Sequence, residues 1–189
     1  MNERADGWHK VASKTLLECP VFTVKENHFV RDGDKKEVPF YLVEAPDWIN
    51  IIAVTDDNEV VLIEQYRQGA EEMVLELPSG MVDVDEEPEA AAKRELLEET
   101  GYAAEEWVLL GRSLPNPALH SNRIHHFLAR GARRVRDPEP DENESLATTL
   151  KGLEETKRLL DGGRIDQSMV VAAFYYFDAF LRKNESAIA

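Results

Sequence analysis

The sequence predicts a mixed α/β sandwich, and three observations lead there. Short runs rich in β-branched and aromatic residues dominate the first 80 positions. A helix is expected over 88–100 and another over 166–182. Strands and helices do not alternate regularly, which disfavours a doubly wound parallel sheet.

The elements follow in order. Residues 14–33 and 35–45 hold strand segments, with a tight turn expected at Asp32-Gly33. The runs INIIAV and EVVLIEQY are joined by Thr55-Asp56-Asp57-Asn58, the composition of a hairpin turn. MVLELP is a further strand. Pro88 suits a first helical position, and the acidic residues before it favour a helix N-terminus. Gly101 suits the position just past the helix end. EWVLLGR, RIHHFLA and SLATTL are expected strands. A short helix over 153–161 is stopped by Gly162-Gly163, and the last helix, capped by Asp166 or Ser168, carries an aromatic-rich face from Phe174 to Phe180.

The chain has 189 residues, 43% hydrophobic and 31% charged, enough to bury a core and remain soluble. No apolar run approaches the ~20 residues of a membrane-spanning helix, and the N-terminal residues lack the apolar stretch of a secretory signal. The single cysteine, Cys19, has no internal partner, so a reducing cytoplasmic setting is expected. A net charge of −15 repels nucleic-acid backbones, and no basic stripe offsets it, so neither nucleic acid nor membrane is an expected partner.

One segment asks for an explanation: GMVDVDEEPEAAAKRELLEETGY, residues 80–102. Glu95, Glu98 and Glu99 stand at i, i+3 and i+4 and share one helix face. Like charges so spaced repel, by a few tenths of a kcal/mol per pair. Such a face is left in water or neutralised by a cation. Mg²⁺ suits it, taking hard oxygen ligands while keeping coordination positions for substrate phosphates. Arg94 is in reach of Glu98 at i+4 and of Glu86 at the helix entrance. The preceding LELPSG brings a backbone carbonyl, such as that of Ser79, near the same cation.

The segment resembles the Nudix box: Gly, five residues, Glu, seven residues, Arg-Glu, an aliphatic, any residue, Glu-Glu, any residue, Gly, an aliphatic. Gly80, Glu86, Arg94, Glu95, Leu96, Glu98, Glu99 and Gly101 match at every spacing, and Tyr102 stands where an aliphatic is usual. The resemblance implies an α/β/α Nudix sandwich and hydrolysis of a nucleoside diphosphate linked to a second group, with Mg²⁺, or Mn²⁺ in its place, as cofactor. It implies that Glu95 and Glu99 ligate metal, that Glu98 ligates a further metal or holds a metal-bound water, and that the Glu86–Arg94 pair, with Gly80 and Gly101, is structural.

The rest of the chain, roughly residues 40–180, resembles the ADP-ribose and nucleoside-diphosphate-sugar pyrophosphatases of that superfamily. IEQYRQG matches a Gln-aromatic-Arg element and makes Arg67 a candidate phosphate contact; LELPSG brings Glu76 towards the metal site. The resemblance also implies a β-rich N-terminal extension, residues 1–48, that builds a homodimer, ahead of a hydrolase domain over 49–189. It further implies a loop glutamate, Glu142 or Glu144, acting as base over the metals, with Glu144 favoured because it directly precedes the next strand region. Phe40 and Tyr41, with Phe29 and Trp48, are candidates to stack on a nucleobase. His125 and His126 alternate on a strand, cannot ligate one ion together, and are expected to be structural. The resemblance departs at Pro115-Asn116-Pro117-Ala118 and Ser121-Asn122-Arg123, where the branch carries Ser-Pro-Gly and then Glu. That departure implies a broader nucleotide-sugar hydrolase rather than strict ADP-ribose specificity. The competing functions are a nucleoside triphosphate or dinucleotide pyrophosphohydrolase, and a non-catalytic module that senses nucleotide sugars. The second competes poorly with a box that has kept all its glutamates.

Overall fold

The structure is a computed structural model that describes residues 7–139 and 145–185. The chain forms two compact units. The first comprises residues 1–46 and 114–122, the second 47–113 and 123–189. The sequence expectation drew one division at residue 48 and did not place 114–122 with the N-terminal part.

The first unit is an antiparallel sheet of three strands in the order β1-β2-β3. Its strands are β1 (Trp8–Glu18), β2 (Thr23–Arg31) and β3 (Glu37–Glu44). β1 starts six residues before the expected strand region and is exposed along its whole length. The turn at residues 32–34 stands where Asp32-Gly33 predicted it. Trp8 and Phe29 each meet Phe40 edge-to-face, with ring centroids 5.5 and 5.6 Å away. The 114–122 segment joins through its backbone: Val43 N–H donates to the Leu119 carbonyl and Ser121 N–H to the Val43 carbonyl.

The second unit is built on β4 (Trp48–Val54), β5 (Glu59–Arg67), β6 (Glu72–Glu76), β7 (Ser79–Met81), α1 (Pro88–Thr100), β8 (Tyr102–Ala103), β9 (Glu106–Ser113), β10 (Ile124–Arg130), β11 (Arg133–Arg134), β12 (Leu146–Gly152), α2 (Leu153–Asp161) and α3 (Ser168–Glu185). Its main sheet runs β12-β5-β4-β10-β9, with β6 on β5 and β7 on β4. β4 and β10 pair in parallel and the other neighbours antiparallel, so the sheet is mixed.

Alternation along the central strands assigns each face a helix. Ile51, Ala53, Phe127 and Ala129 bury against Ala91, Ala92 and Leu96 of α1. Ile52 and Leu128 bury with Phe174 and Phe177 of α3. The result is the α/β/α sandwich expected. The last helix begins at Ser168, two residues later than the expected 166, and extends to Glu185. Among the described residues no helix is long and apolar enough to cross a membrane.

Candidate active site

α1 begins without a side-chain cap, on Pro88, whose missing N–H has no intrahelical partner to lose. It ends at Gly101, whose φ of 73° is left-handed and whose N–H donates to the Leu97 carbonyl. A Cβ at Gly101 would lie 2.1 Å from the Arg136 carbonyl oxygen, so glycine is required twice over. With both ends fixed and Ala91, Ala92 and Leu96 in the core, the helix holds Glu95, Glu98 and Glu99 at one place beside β7.

β7 carries the other half of the site. It pairs with β4 as Trp48↔Met81, Ile49↔Gly80 and Asn50↔Ser79. Ser79 N–H donates to Glu99 Oε2 at 2.9 Å, which holds a carboxylate on a residue only 2% exposed. At Gly80 a Cβ would lie 2.1 Å from the Glu95 carboxyl carbon. Any side chain there would displace that carboxylate.

Arg94 organises the group. Its Nε and Nη2 donate to the two oxygens of Glu86 at 3.1 and 2.9 Å. Its Nη1 donates to Glu95 at 2.8 Å and to Glu98 at 3.2 Å, and Nη2 also reaches the Met81 carbonyl at 3.1 Å. The Arg94 guanidinium holds the Glu86 carboxyl below its ordinary range, aided by the Asp83 N–H against the opposing pull of burial. Glu86 in return, with Glu95 and Glu98, raises the pKa of Arg94.

A second arginine faces the same space. Arg67 donates from Nε and Nη2 to the two oxygens of Glu76 at 2.7 and 2.6 Å. Glu76 is fully buried, and its Oε2 also accepts Gln167 Nε2 at 3.0 Å. The pair is a bidentate fork of the kind that fixes a guanidinium's direction.

These residues line one cavity of about 560 Å³: Arg67, Ser79, Gly80, Arg94, Glu95, Glu98 and Glu99, with Trp48, Ile49, Gln65, Met81, Asp83, Gln167 and Met169. Among the described residues no three acidic, histidine or cysteine side chains are already converged on one point as metal ligands; Glu95 and Glu98 turn towards Arg94 instead. The donor set nevertheless fits a hard divalent cation. Three carboxylates line one cavity, and one of them, Glu99, is buried there at a cost that a neighbouring cation offsets.

The remaining candidates fall elsewhere. Glu86 stands behind Arg94, and Glu76 behind Arg67 rather than on the cavity wall. Phe40 and Tyr41 belong to the first unit, 39% and 55% exposed. Glu142 and Glu144 lie outside the described residues. Asn122 is buried and donates to the Pro46 carbonyl, and Asn116 turns the 114–122 segment by accepting from Leu119 and His120 N–H. His125 and His126 are buried on β10. His125 Nδ1 accepts from Arg112 Nε at 3.2 Å, so its Nε2 carries the proton to Asp47 at 2.8 Å. His126 pairs with Ser113 Oγ at 2.8 Å, and burial, helped by the neighbouring His125, pushes its pKa down to about 4.

Sequence reasoning placed Gln65 in the Gln-aromatic-Arg element without giving it a role, and did not single out Gln167 and Met169. A place for Gln65 in the site was discoverable, since it lies two residues before Arg67 on a strand and so shares its face. Gln167 meets Glu76 across 91 positions, and no local pattern announces that.

Comparison with known proteins agrees with this geometry. The NUDIX domain family model matches residues 47–170. The chain is 32% identical over 136 residues to the methanol dehydrogenase activator of Bacillus methanolicus, covering 71% of this chain and 74% of that one. It is 29% identical over 172 residues to the ADP-ribose pyrophosphatase of Bacillus subtilis, covering 86% and 91%. A crystal structure of an ADP compounds hydrolase aligns with a TM-score of 0.83 at 22% identity, covering 97% and 98%, which speaks for the fold alone. Proteins of this kind generally need a divalent metal. With Gly80, Arg94, Glu95, Glu98 and Glu99 of the box lining one cavity and the family model spanning residues 47–170, the protein belongs to the Nudix family.

Proposed function

We propose that this chain hydrolyses the pyrophosphate bond of nucleoside-diphosphate sugars, ADP-ribose among them, releasing a nucleoside monophosphate and a sugar phosphate. The observation that carries this reading is one cavity lined by two unlike sets of groups. Three carboxylates are suited to divalent metal, and Arg67 is aimed by Glu76, which also accepts Gln167. A diphosphate needs both, because a metal would offset its charge and a fixed guanidinium would orient it.

In this reading Glu95, Glu98 and Glu99, with the Ser79 carbonyl, hold Mg²⁺, for which Mn²⁺ substitutes. The ion supplies charge neutralisation and a more acidic bound water. Arg94 holds the carboxylates in place, and Gly80 leaves room for Glu95. Arg67 binds a phosphoryl oxygen; of the aromatic candidates to stack on the base, Trp48 lines the cavity, and Phe40, Tyr41 and Phe29 are the others. Glu142 or Glu144 serves as base, with Glu144 preferred. The chain works as a homodimer formed through residues 1–48, a reading supported by the fully exposed β1 and by exposed Trp8, Val11, Leu16 and Leu17. A reducing cytoplasm suits the single cysteine.

The test is a kcat/KM series over ADP-ribose, UDP-glucose, GDP-mannose, ATP and dGTP with product identification. At least two nucleotide sugars with different bases are expected within ~100-fold of each other, since stacking and metal contacts do not identify a base, and the triphosphates should be much poorer. A preference for dGTP overturns the reading. Light scattering that shows a monomer at micromolar concentration overturns the dimer.

A further inference from the structure

Gln65 is a cavity residue that the proposed chemistry leaves unused. It lies on β5 with a relative exposure of 9%, yet it lines the cavity. Among the described residues its side-chain amide makes no hydrogen bond, whereas the other cavity amide, Gln167, is spent on Glu76. A primary amide offers two donors and an acceptor, and here they face the cavity with no protein partner among the described residues. A glutamine so placed is therefore built for something that enters the cavity.

The chemistry of that group follows from the neighbours. Gln65 and Arg67 share a strand face, and two residues along a strand span roughly 6–7 Å. The phosphoryl oxygens are only acceptors, and they have the stronger partners in Arg67 and the carboxylate-bound metal. One step along the substrate from a phosphate stands a sugar. A sugar hydroxyl donates and accepts at once and so matches both edges of a carboxamide. We propose that Gln65 is a specificity-determining residue that reads a hydroxyl of a sugar flanking the diphosphate. The inference rests on the nucleotide-sugar reading above and deepens it. Discrimination sits on the sugar, while the base remains loosely read.

The experiment uses the full-length protein with ADP-ribose, a set of ADP-ribose analogues each lacking one hydroxyl of either sugar, and inorganic pyrophosphate as a competing ligand. The wild-type chain should disfavour one deoxy analogue by about 10- to 100-fold in kcat/KM, the scale of a hydroxyl whose buried partner is left unpaired. Gln65→Met is close in shape and cannot make the bond. It should raise KM for ADP-ribose by a similar factor with kcat within ~3-fold, and treat that deoxy analogue and ADP-ribose alike. Inhibition by pyrophosphate should be unchanged. A merely structural glutamine would lower stability and impair every substrate equally. Three results overturn the proposal: a wild-type chain indifferent to every deoxy analogue, which needs no variant to observe; a Gln65→Met chain that keeps the wild-type discrimination; or pyrophosphate binding weakened as much as substrate binding, which would mean a phosphate contact. A wild-type chain that hydrolyses no nucleotide sugar at all overturns the activity itself, and this inference with it. Hydrolysis that persists without hydroxyl discrimination overturns only the role of Gln65.

Discussion

Two arginines face one cavity and are held in opposite ways. Arg67 gives Nε and Nη2 to the two oxygens of Glu76, a carboxylate wholly out of water. Arg94 divides its donors among Glu86, Glu95, Glu98 and a backbone carbonyl, and the three carboxylates keep 18%, 15% and 40% of their side chains exposed. The first arrangement fixes a cation in one direction. The second lets partners be exchanged, because Arg94 stays anchored on Glu86 when Glu95 or Glu98 turns to another cation. A rigid arginine and a shared one suit a site in which one group is to hold a phosphate and the carboxylates are to load a metal.

The largest expected effects break the carboxylate set. Excess EDTA should abolish hydrolysis, because without a cation three carboxylates repel a diphosphate; activity that persists in EDTA rules the mechanism out. Glu99→Gln should lower kcat at least ~100-fold, the cost of removing a key charge-stabilising group. Its thermal stability should change little, since a glutamine Oε can still accept the Ser79 N–H. Near wild-type turnover in that variant would remove Glu99 from the metal site.

Next come the arginines themselves, where the comparison can be measured as stability. Arg67→Ala strands a fully buried Glu76, with Gln167 as its remaining hydrogen-bond donor from a side chain. A destabilisation of about 3–5 kcal/mol is expected for a buried carboxylate deprived of its cation. Arg94→Ala leaves carboxylates that water can reach, so about 1–2 kcal/mol is expected, together with a large loss of activity. Denaturant titration of both variants decides it. Equal losses would mean that the exposure difference between the two arginines has no energetic meaning.

The same contrast explains what could be read in the chain before the fold was known. The Arg94 set is local: its residues fall within one helix and the turn before it, and helical spacing alone gathers Glu95, Glu98 and Glu99. The helix bounds at Pro88 and Gly101 were legible too, because proline and glycine act through their own backbones. The Arg67 set is not local. Glu76 reads as a residue near the metal site because it sits beside LPSG; its role as a buried anchor depends on the hairpin of β5 and β6 and on a glutamine at the foot of α3. The 114–122 segment joins the first unit through backbone hydrogen bonds to Val43, and main-chain groups carry no residue signature.

The response to acid carries the comparison to a buried group and a partly exposed one. His126, packed 5.4 Å from the Tyr176 ring, is fully buried, and burial lowers its pKa to about 4 from an ordinary 6.5. A histidine held neutral in the fold costs stability once the unfolded chain takes up its proton. Its contribution is therefore complete above pH 6.5 and falls away as pH drops from 6.5 towards 4, by up to about 3 kcal/mol. Glu86 acts lower. Its pKa is depressed below 4.5 by Arg94, so the stability it contributes is present above pH 4.5 and is lost as pH falls through the folded value beneath that. Denaturant titrations at pH 7.5, 5.5 and 3.5 should thus show two stages. His126→Phe should flatten the first and leave the second, while Glu86→Gln should leave the first and reduce the second, to which Asp47, Glu26 and Asp34, also held below their ordinary range, still contribute. A single transition untouched by either variant would assign the acid limb to other carboxylates and leave the Arg94–Glu86 anchor energetically silent.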